Sequence, residues 1–202
     1  DHPGICSIYG TGIENGFAYI VMRRADGESL DRAIAAARSS KGHESLRDIK
    51  GILELAIKLA EAVDAAHRAG VVHRDLKPAN IVLSETGEPL ILDFGLARDL
   101  TDATPTLTRT GDIIGTPHYM APEQLSGAAG SADGRCDVWA LGIILHELIA
   151  LERPFEGPTF HALGQTIQNQ SAPPLSETPH GERVPRDLAT VVATALRKSP
   201  DK

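Results

Sequence analysis

The alternation of apolar and polar positions divides the chain into a short β-rich start and a longer, mostly helical remainder. Residues 5–9 and 17–22 read as strands. In the second, Phe17, Tyr19 and Val21 alternate with Ala18, Ile20 and Met22, and Asn15-Gly16 is a dipeptide that closes a tight hairpin. Arg23-Arg24-Ala25-Asp26-Gly27 breaks the alternation, and Ser29 is placed to cap a helix running to about Arg38. Beyond the Ser39-Ser40-Lys41-Gly42 loop, Ser45 and Asp48 resemble a capping box. Ile49, Ile52, Leu53, Ala56, Leu59, Ala60, Val63 and His67 then recur at helical spacing, and Gly70 is placed as a left-handed cap. Short strands near Ile81–Leu83 and Leu90–Leu92 flank a Glu-Thr-Gly-Glu turn. Residues 96–118 hold many Thr, Gly and Asp and show no period, and a loop of that length inside a compact domain is usually functional. Residues 137–150 are apolar nearly all round, which predicts a buried helix. Helices near 159–168 and 186–198 close the chain around the loop containing Ala172-Pro173-Pro174.

Composition narrows the class without naming it. A chain of 202 residues, 42% apolar and 23% charged, can build one sizeable globular core and part of a second. A net charge of −7 with no long Lys/Arg cluster argues against nucleic acid as a partner. Cys6 and Cys136 cannot make a disulfide framework, so a reducing, cytoplasmic setting is expected. The apolar run from Val138 to Ala150 is interrupted by His146-Glu147 and is too short to span a bilayer, so no membrane contact is expected of this segment. No signal peptide is visible, and the opening Asp1-His2-Pro3 without an initiator Met reads as a fragment whose parent could carry an anchor elsewhere.

The chemistry concentrates in His73-Arg74-Asp75-Leu76-Lys77-Pro78-Ala79-Asn80. Phosphoryl transfer asks little covalent work of a protein. It needs positioning, charge neutralisation and a proton acceptor. Asp75 can accept the proton of an attacking hydroxyl, Lys77 can neutralise the phosphoryl group, and Asn80 offers a neutral oxygen suited to a partly hydrated Mg²⁺. Asp93, in Asp93-Phe94-Gly95, supplies an anionic metal ligand, and Val82 between the two metal residues offers an apolar floor for a nucleotide base. A lone loop Asp is more often a turn or cap residue. The joint occurrence of these motifs with Thr116-Pro117-His118-Tyr119-Met120-Ala121-Pro122-Glu123 is what carries the reading.

In their order and spacing these motifs resemble the protein-kinase family, specifically bacterial serine/threonine kinases of the eukaryotic-like type. The resemblance implies an α+β, protein-kinase-like fold. Residues 1–25 would be the end of the N-lobe (its strands 4 and 5 and the hinge), and residues 26–202 an incomplete C-lobe. It implies ATP with Mg²⁺, Mn²⁺ being the alternative ion, and protein substrates bearing Ser or Thr. Met22 falls at the position gating the back of the ATP pocket, Arg23 and Ala25 at the hinge whose backbone bonds adenine, and Ser29 where ribose is often contacted. Lys77 and Thr116 match the serine/threonine class, in which Thr116 bridges Asp75 and Lys77. Asp137 matches a buried carboxylate that anchors the catalytic loop, its simpler role being a helix cap. Ile8, His73 and Phe94 match stacked apolar positions that link the lobes.

The resemblance also implies regulation. Arg74 asks for an anionic partner, and phosphorylation of Thr108 or Thr110, by a second copy in a homodimer, would supply one, with Arg98 assisting. The chain departs from the pattern by lacking the Gly-rich loop, the strand-3 Lys and the helix-C Glu, so the isolated fragment is expected to be inactive and to expose an apolar edge on its first strands. It also stops before the arginine that usually pairs with Glu123, which is expected to leave that carboxylate without its partner. Arg23-Arg24 replaces the common acidic-aromatic hinge pair. The rival readings are a pseudokinase or scaffold without turnover, and a small-molecule phosphotransferase, the latter disfavoured by Ala121-Pro122-Glu123.

Overall fold

The structure, a computed structural model, describes residues 2–39, 46, 48–94, 117–125, 133–179 and 181–199. β1 (Ile8–Glu14) and β2 (Phe17–Met22) pair antiparallel. Asn15 and Gly16 between them have φ of 52° and 82°, the paired left-handed geometry that Asn-Gly adopts at little cost. β1 therefore lies nearer the turn than residues 5–9, where the side-chain pattern placed it. The ladder is a backbone property and runs through Gly10 and Gly12, which carry no pattern. Residues 4–6 serve a different edge: Cys6 N–H donates to the Ile91 carbonyl and Ile91 N–H donates to the Gly4 carbonyl, both at 2.8 Å. Phe17, Tyr19 and Val21 share one face of β2, and with Tyr9 and Ile13 they leave the hairpin with exposed apolar side chains, as expected.

β3 (Glu28–Ser29), β4 (Ile81–Leu83) and β5 (Pro89–Ile91) form a second small antiparallel sheet in that order. Gly27 enters it with φ of 145°, and a Cβ there would collide with the Leu83 carbonyl oxygen, so the position requires glycine. Ser29 occupies the N-cap of α1 (Leu30–Arg38), but its side chain makes no capping bond because its backbone is already the end of β3.

α2 (Ile49–Arg68) is capped by Asp48, whose carboxylate accepts from Gly51 N–H at 2.7 Å. The capping box therefore gives way to a single Asp cap, and Ser45 lies outside the described residues. Gly70, at φ 77°, ends the helix as predicted, with Val71 N–H returning to the Ala66 carbonyl.

After α3 (Pro122–Leu125) the chain enters α4 (Arg135–Ala150), the centre of the core. Trp139, Ile143, Ile144, Leu148 and Ile149 are each 3% exposed or less, so this helix is enclosed as its all-round apolar sequence predicts. Burying each such side chain is worth about 1.5–3 kcal/mol. α5 (Phe160–Asn169) starts at Thr159, whose hydroxyl caps Ala162 N–H at 3.1 Å. α6 (Arg186–Ala195) lies against α4, so closely at Gly142 that a Cβ there would stand 2.9 Å from Ala195 Cβ. Among the described residues no helix is long and apolar enough to cross a membrane.

Candidate active site

The loop between α2 and β4 is shaped by one buried carboxylate. Asp137, on the first turn of α4 and 1% exposed, accepts at Oδ2 from His73 N–H (2.8 Å) and His67 Nε2–H (2.8 Å), and at Oδ1 from Arg74 N–H (2.8 Å). These bonds hold Arg74 at φ 68°, a left-handed conformation that costs a non-glycine residue about 1–2 kcal/mol. Asp137 thus works on the loop, and the cap position of α4 is Gly134.

His73 ties this loop to the segment carrying Asp93. Its Nε2 faces the Leu92 carbonyl at 2.9 Å. A carbonyl only accepts, so Nε2 carries the proton and Nδ1 accepts from Asp75 N–H at 3.3 Å. The His73 ring also meets Phe94 edge-on, with centroids 4.7 Å apart. Of the predicted lobe-linking stack, His73 and Phe94 are therefore in contact, while Ile8 is 42% exposed on β1.

Asp75, Lys77 and Asn80 converge. Lys77 Nζ lies 2.6 Å from Asp75 Oδ2, and Asn80 Nδ2 donates to the Asp75 carbonyl at 2.9 Å. The Asp75 side chain is half exposed. An ion pair in that setting is worth only about 0.2–1 kcal/mol, so Lys77 is free to exchange one anion for another. The antiparallel β4–β5 pairing places the second metal-ligand candidate at the same end of the ribbon: Leu92 N–H donates to the Asn80 carbonyl at 2.8 Å, and Asp93 follows directly, at φ 62°. The donor chemistry fits a hard divalent ion. With the Asn80 amide nitrogen turned to Asp75, its Oδ1 is left as the ligand atom, and Asp93 adds a carboxylate. Few protein oxygens suit Mg²⁺, which keeps several waters and takes phosphate oxygens.

Ser29 and Val82 are register partners across β3 and β4, so the residues expected at ribose and base are neighbours. Met22 ends β2. Arg23 N–H is already donated to the Ser7 carbonyl at 2.9 Å, and its own carbonyl accepts from the Cys6 thiol at 3.3 Å. Ala25 lies in the extended stretch between β2 and β3. Thr108, Thr110, Thr116, Gly95 and Arg98 lie outside the described residues. Among the described residues no ion pair engages the Arg74 guanidinium. Glu123, expected to be left without a partner, is engaged in an interaction, and that expectation is corrected.

Sequence reasoning missed several groups that shape the site. His67 counted as one periodic helix position, and its bond to Asp137 spans 70 residues. Gln124 reaches the Arg74 carbonyl at 2.8 Å. Tyr119 donates to Glu147 at 2.6 Å, and Glu147 also takes Arg38 at 2.9 Å. Burial, and then the Glu147 charge, push the Tyr119 hydroxyl far above the usual tyrosine range, so it acts as a donor throughout the accessible pH range. No local pattern announces such pairs. A buried Glu inside an apolar helix was the available signal.

Comparison with known proteins agrees with this geometry. The protein kinase domain family matches residues 1–202. A probable serine/threonine-protein kinase, SCO3848 of Streptomyces coelicolor, is 34% identical over all of this chain, and serine/threonine-protein kinase PknB of Mycobacterium tuberculosis is 35% identical over the same extent. A probable serine/threonine-protein kinase of Corynebacterium efficiens, CE0033, is 37% identical over 98% of the chain. The chain belongs to the protein kinase domain family. It spans 29%, 31% and 30% of the lengths of those relatives.

Proposed function

We propose that this chain is catalytic machinery of a protein serine/threonine kinase, transferring the γ-phosphoryl group of ATP to Ser or Thr hydroxyls of proteins. The observation that carries the reading is the convergence of Asp75, Lys77 and Asn80, tied through Asn80 and His73 to the segment holding Asp93. Asp75 accepts the hydroxyl proton as the oxygen bonds to the γ-phosphorus and the bond to the bridging oxygen of ADP breaks. Lys77 leaves Asp75 for the transferring phosphoryl group and balances its charge. Magnesium, held by Asn80 and Asp93, would supply charge neutralisation at the phosphate oxygens. Met22, Arg23, Ala25, Ser29 and Val82 bind and orient the nucleoside. An intact Asp75, Asn80 and Asp93 set favours turnover over a scaffold role.

In this reading residues 1–25 close the nucleotide site from above and 26–202 form the substrate-binding body. Phosphate on Thr108 or Thr110, added within a homodimer, pairs with Arg74, whose guanidinium has no ion pair among the described residues. The domain works in the cytoplasm, where ATP and reduced cysteines coexist. Transfer of radiolabelled phosphate from ATP to protein by the full-length protein, compared with its Asp75→Asn variant, tests the proposal. Loss of about two to four decades in rate is expected. Equal transfer by both proteins would overturn it. Phosphopeptide mapping of the active protein that finds Thr108 and Thr110 unmodified would remove the regulatory part.

A further inference from the structure

Nothing in the sequence pattern singles out Gln124, yet its side chain bridges the α3 segment to the backbone beside Asp75. Its Nε2 donates to the Arg74 carbonyl at 2.8 Å, and its Oε1 accepts from Ala121 N–H at 2.9 Å. The Arg74 carbonyl belongs to the peptide plane that joins residues 74 and 75. The N–H of that same plane is the Asp75 amide, which donates to His73 Nδ1. A peptide unit is planar, so holding its C=O and its N–H from opposite sides leaves it one orientation. That orientation fixes ψ of Arg74 and φ of Asp75, the torsions that aim the Asp75 carboxylate.

The hold is needed because the neighbouring backbone is strained. Arg74 has φ 68°, and the preceding plane is secured by Asp137 through the N–H of Arg74. Asp137 does not reach the following plane. Its carbonyl is engaged by Gln124. The same side chain closes the first turn of α3, so the 117–125 segment and the Asp75 loop are tied together. Tyr119, Met120 and Gln124 line one narrow cleft with Asp75 and Asp137.

We propose that Gln124 is a positioning residue for phosphoryl transfer, acting through the Arg74–Asp75 peptide plane to aim the Asp75 carboxylate at the incoming hydroxyl. The proposal rests on the kinase reading above and adds a residue to it. Gln124→Met removes both hydrogen bonds at nearly constant volume. Gln124→Glu keeps an acceptor for Ala121 N–H and replaces the bond to the Arg74 carbonyl by a repulsive oxygen–oxygen contact.

The test is steady-state phosphorylation of a protein substrate by the full-length protein carrying Gln124→Met, Gln124→Glu, Asp75→Asn, or either Gln124 change combined with Asp75→Asn. Both Gln124 variants are expected to lower kcat about tenfold or more with KM for ATP within about twofold. In the Asp75→Asn background the Gln124 changes are expected to have almost no further effect, since the group they aim is gone. Wild-type kcat in Gln124→Glu would overturn the proposal. So would an equal, additive loss in the Asp75→Asn background, which marks general damage. If Gln124→Met fails to fold, Gln124→Glu decides. Undiminished transfer by Asp75→Asn itself would instead sink the kinase reading, so the two failures are distinguishable.

Discussion

The hydroxyl of Tyr119 and the carboxylate of Glu147 stand 2.6 Å apart, and they join the 117–125 segment to the last turn of α4. Glu147 is 4% exposed, and its other oxygen meets Arg38 from α1 at 2.9 Å, while Arg38 Nε donates to the Leu151 carbonyl at 2.6 Å. A buried carboxylate is tolerated only when paired and hydrogen-bonded. Tyr119→Phe removes one donor and is expected to cost about 1–2 kcal/mol. Arg38→Met removes the charge partner and is expected to cost about 1–3 kcal/mol, the lower end reflecting that Arg38 is itself half exposed. Urea unfolding of both variants and of the double variant checks this. Because Glu147 is shared, the two losses should fail to add.

Asp137 offers a sharper test of how the loop carrying Asp75 is held. Its carboxylate accepts from two backbone N–H groups and from His67. Asp137→Asn keeps the shape but turns an NH₂ against one of those donors. The expected cost is about 2–4 kcal/mol, from one lost charge-assisted bond and one unsatisfied buried donor. Kinase activity should fall with it, because Arg74 then relaxes from its left-handed conformation. Denaturant midpoints that match wild type would contradict this account.

Much of this was legible in the chain itself. The α2 and α4 helices, the Asn15-Gly16 turn and the Gly70 cap follow from periodicity and turn chemistry, which are local properties. Asp75, Lys77, Asn80 and Asp93 stand out in the chain because their motifs are contiguous, and the first three do converge in the structure. What was not legible depends on long-range pairing. The bond of His67 to Asp137, of Gln124 to Arg74, and of Ile91 to Gly4 and Cys6 each join residues with no shared local signal. The boundaries of β1 failed for a similar reason: glycines in a ladder contribute backbone bonds and no pattern.

The cysteines should be chemically silent in the native state. Cys6 and Cys136 are both buried free thiols. Burial, followed by the neighbouring Asp137 and Glu123 charges, pushes the Cys136 thiol up to about 12. The thiolate is the reactive form, so Cys136 is nearly all thiol at neutral pH. A disulfide reagent absorbing in the visible is expected to react with neither thiol in the folded protein at pH 8, and with both in urea. Rapid modification of Cys136 without denaturant would show that the α4 N-terminus opens more readily than this packing allows.

His146 sets an acid-side expectation. It is 3% exposed, with ring nitrogens 3.3 Å from the carbonyls of Glu152 and Pro173, and burial lowers its pKa below the usual histidine value. The unfolded chain therefore takes up the proton first as pH falls through about 6.5, and the stability tied to neutral His146 is lost below that point. Comparing urea midpoints of wild type and His146→Gln from pH 7.5 to 5 should show the wild type losing more. Parallel curves would mean that the ring is solvated when charged.

Lys198 gives the same sign at the alkaline end. Its Nζ lies 3.9 Å from the centre of Phe155 and 4.8 Å from that of Trp139, and among the described residues it has no hydrogen-bond partner. The two rings stack 5.9 Å apart, and their faces favour the cation. Burial opposes the cation and wins, lowering the pKa from 10.5 to about 8. Between those two values the unfolded chain binds more protons than the folded one, so this residue's contribution to stability rises as pH rises from about 8 to about 10.5. Cys136 and Tyr119 act against it over the same alkaline range, because their raised pKa values make the unfolded chain the better acid. The isolating measurement is therefore a difference: urea midpoints of wild type minus those of Lys198→Met, taken at pH 7, 8, 9 and 10. That difference should climb with pH, because the variant cannot shed a proton there while the aromatic stack stays filled. A flat difference would show that the ammonium keeps its charge against the rings across the whole range.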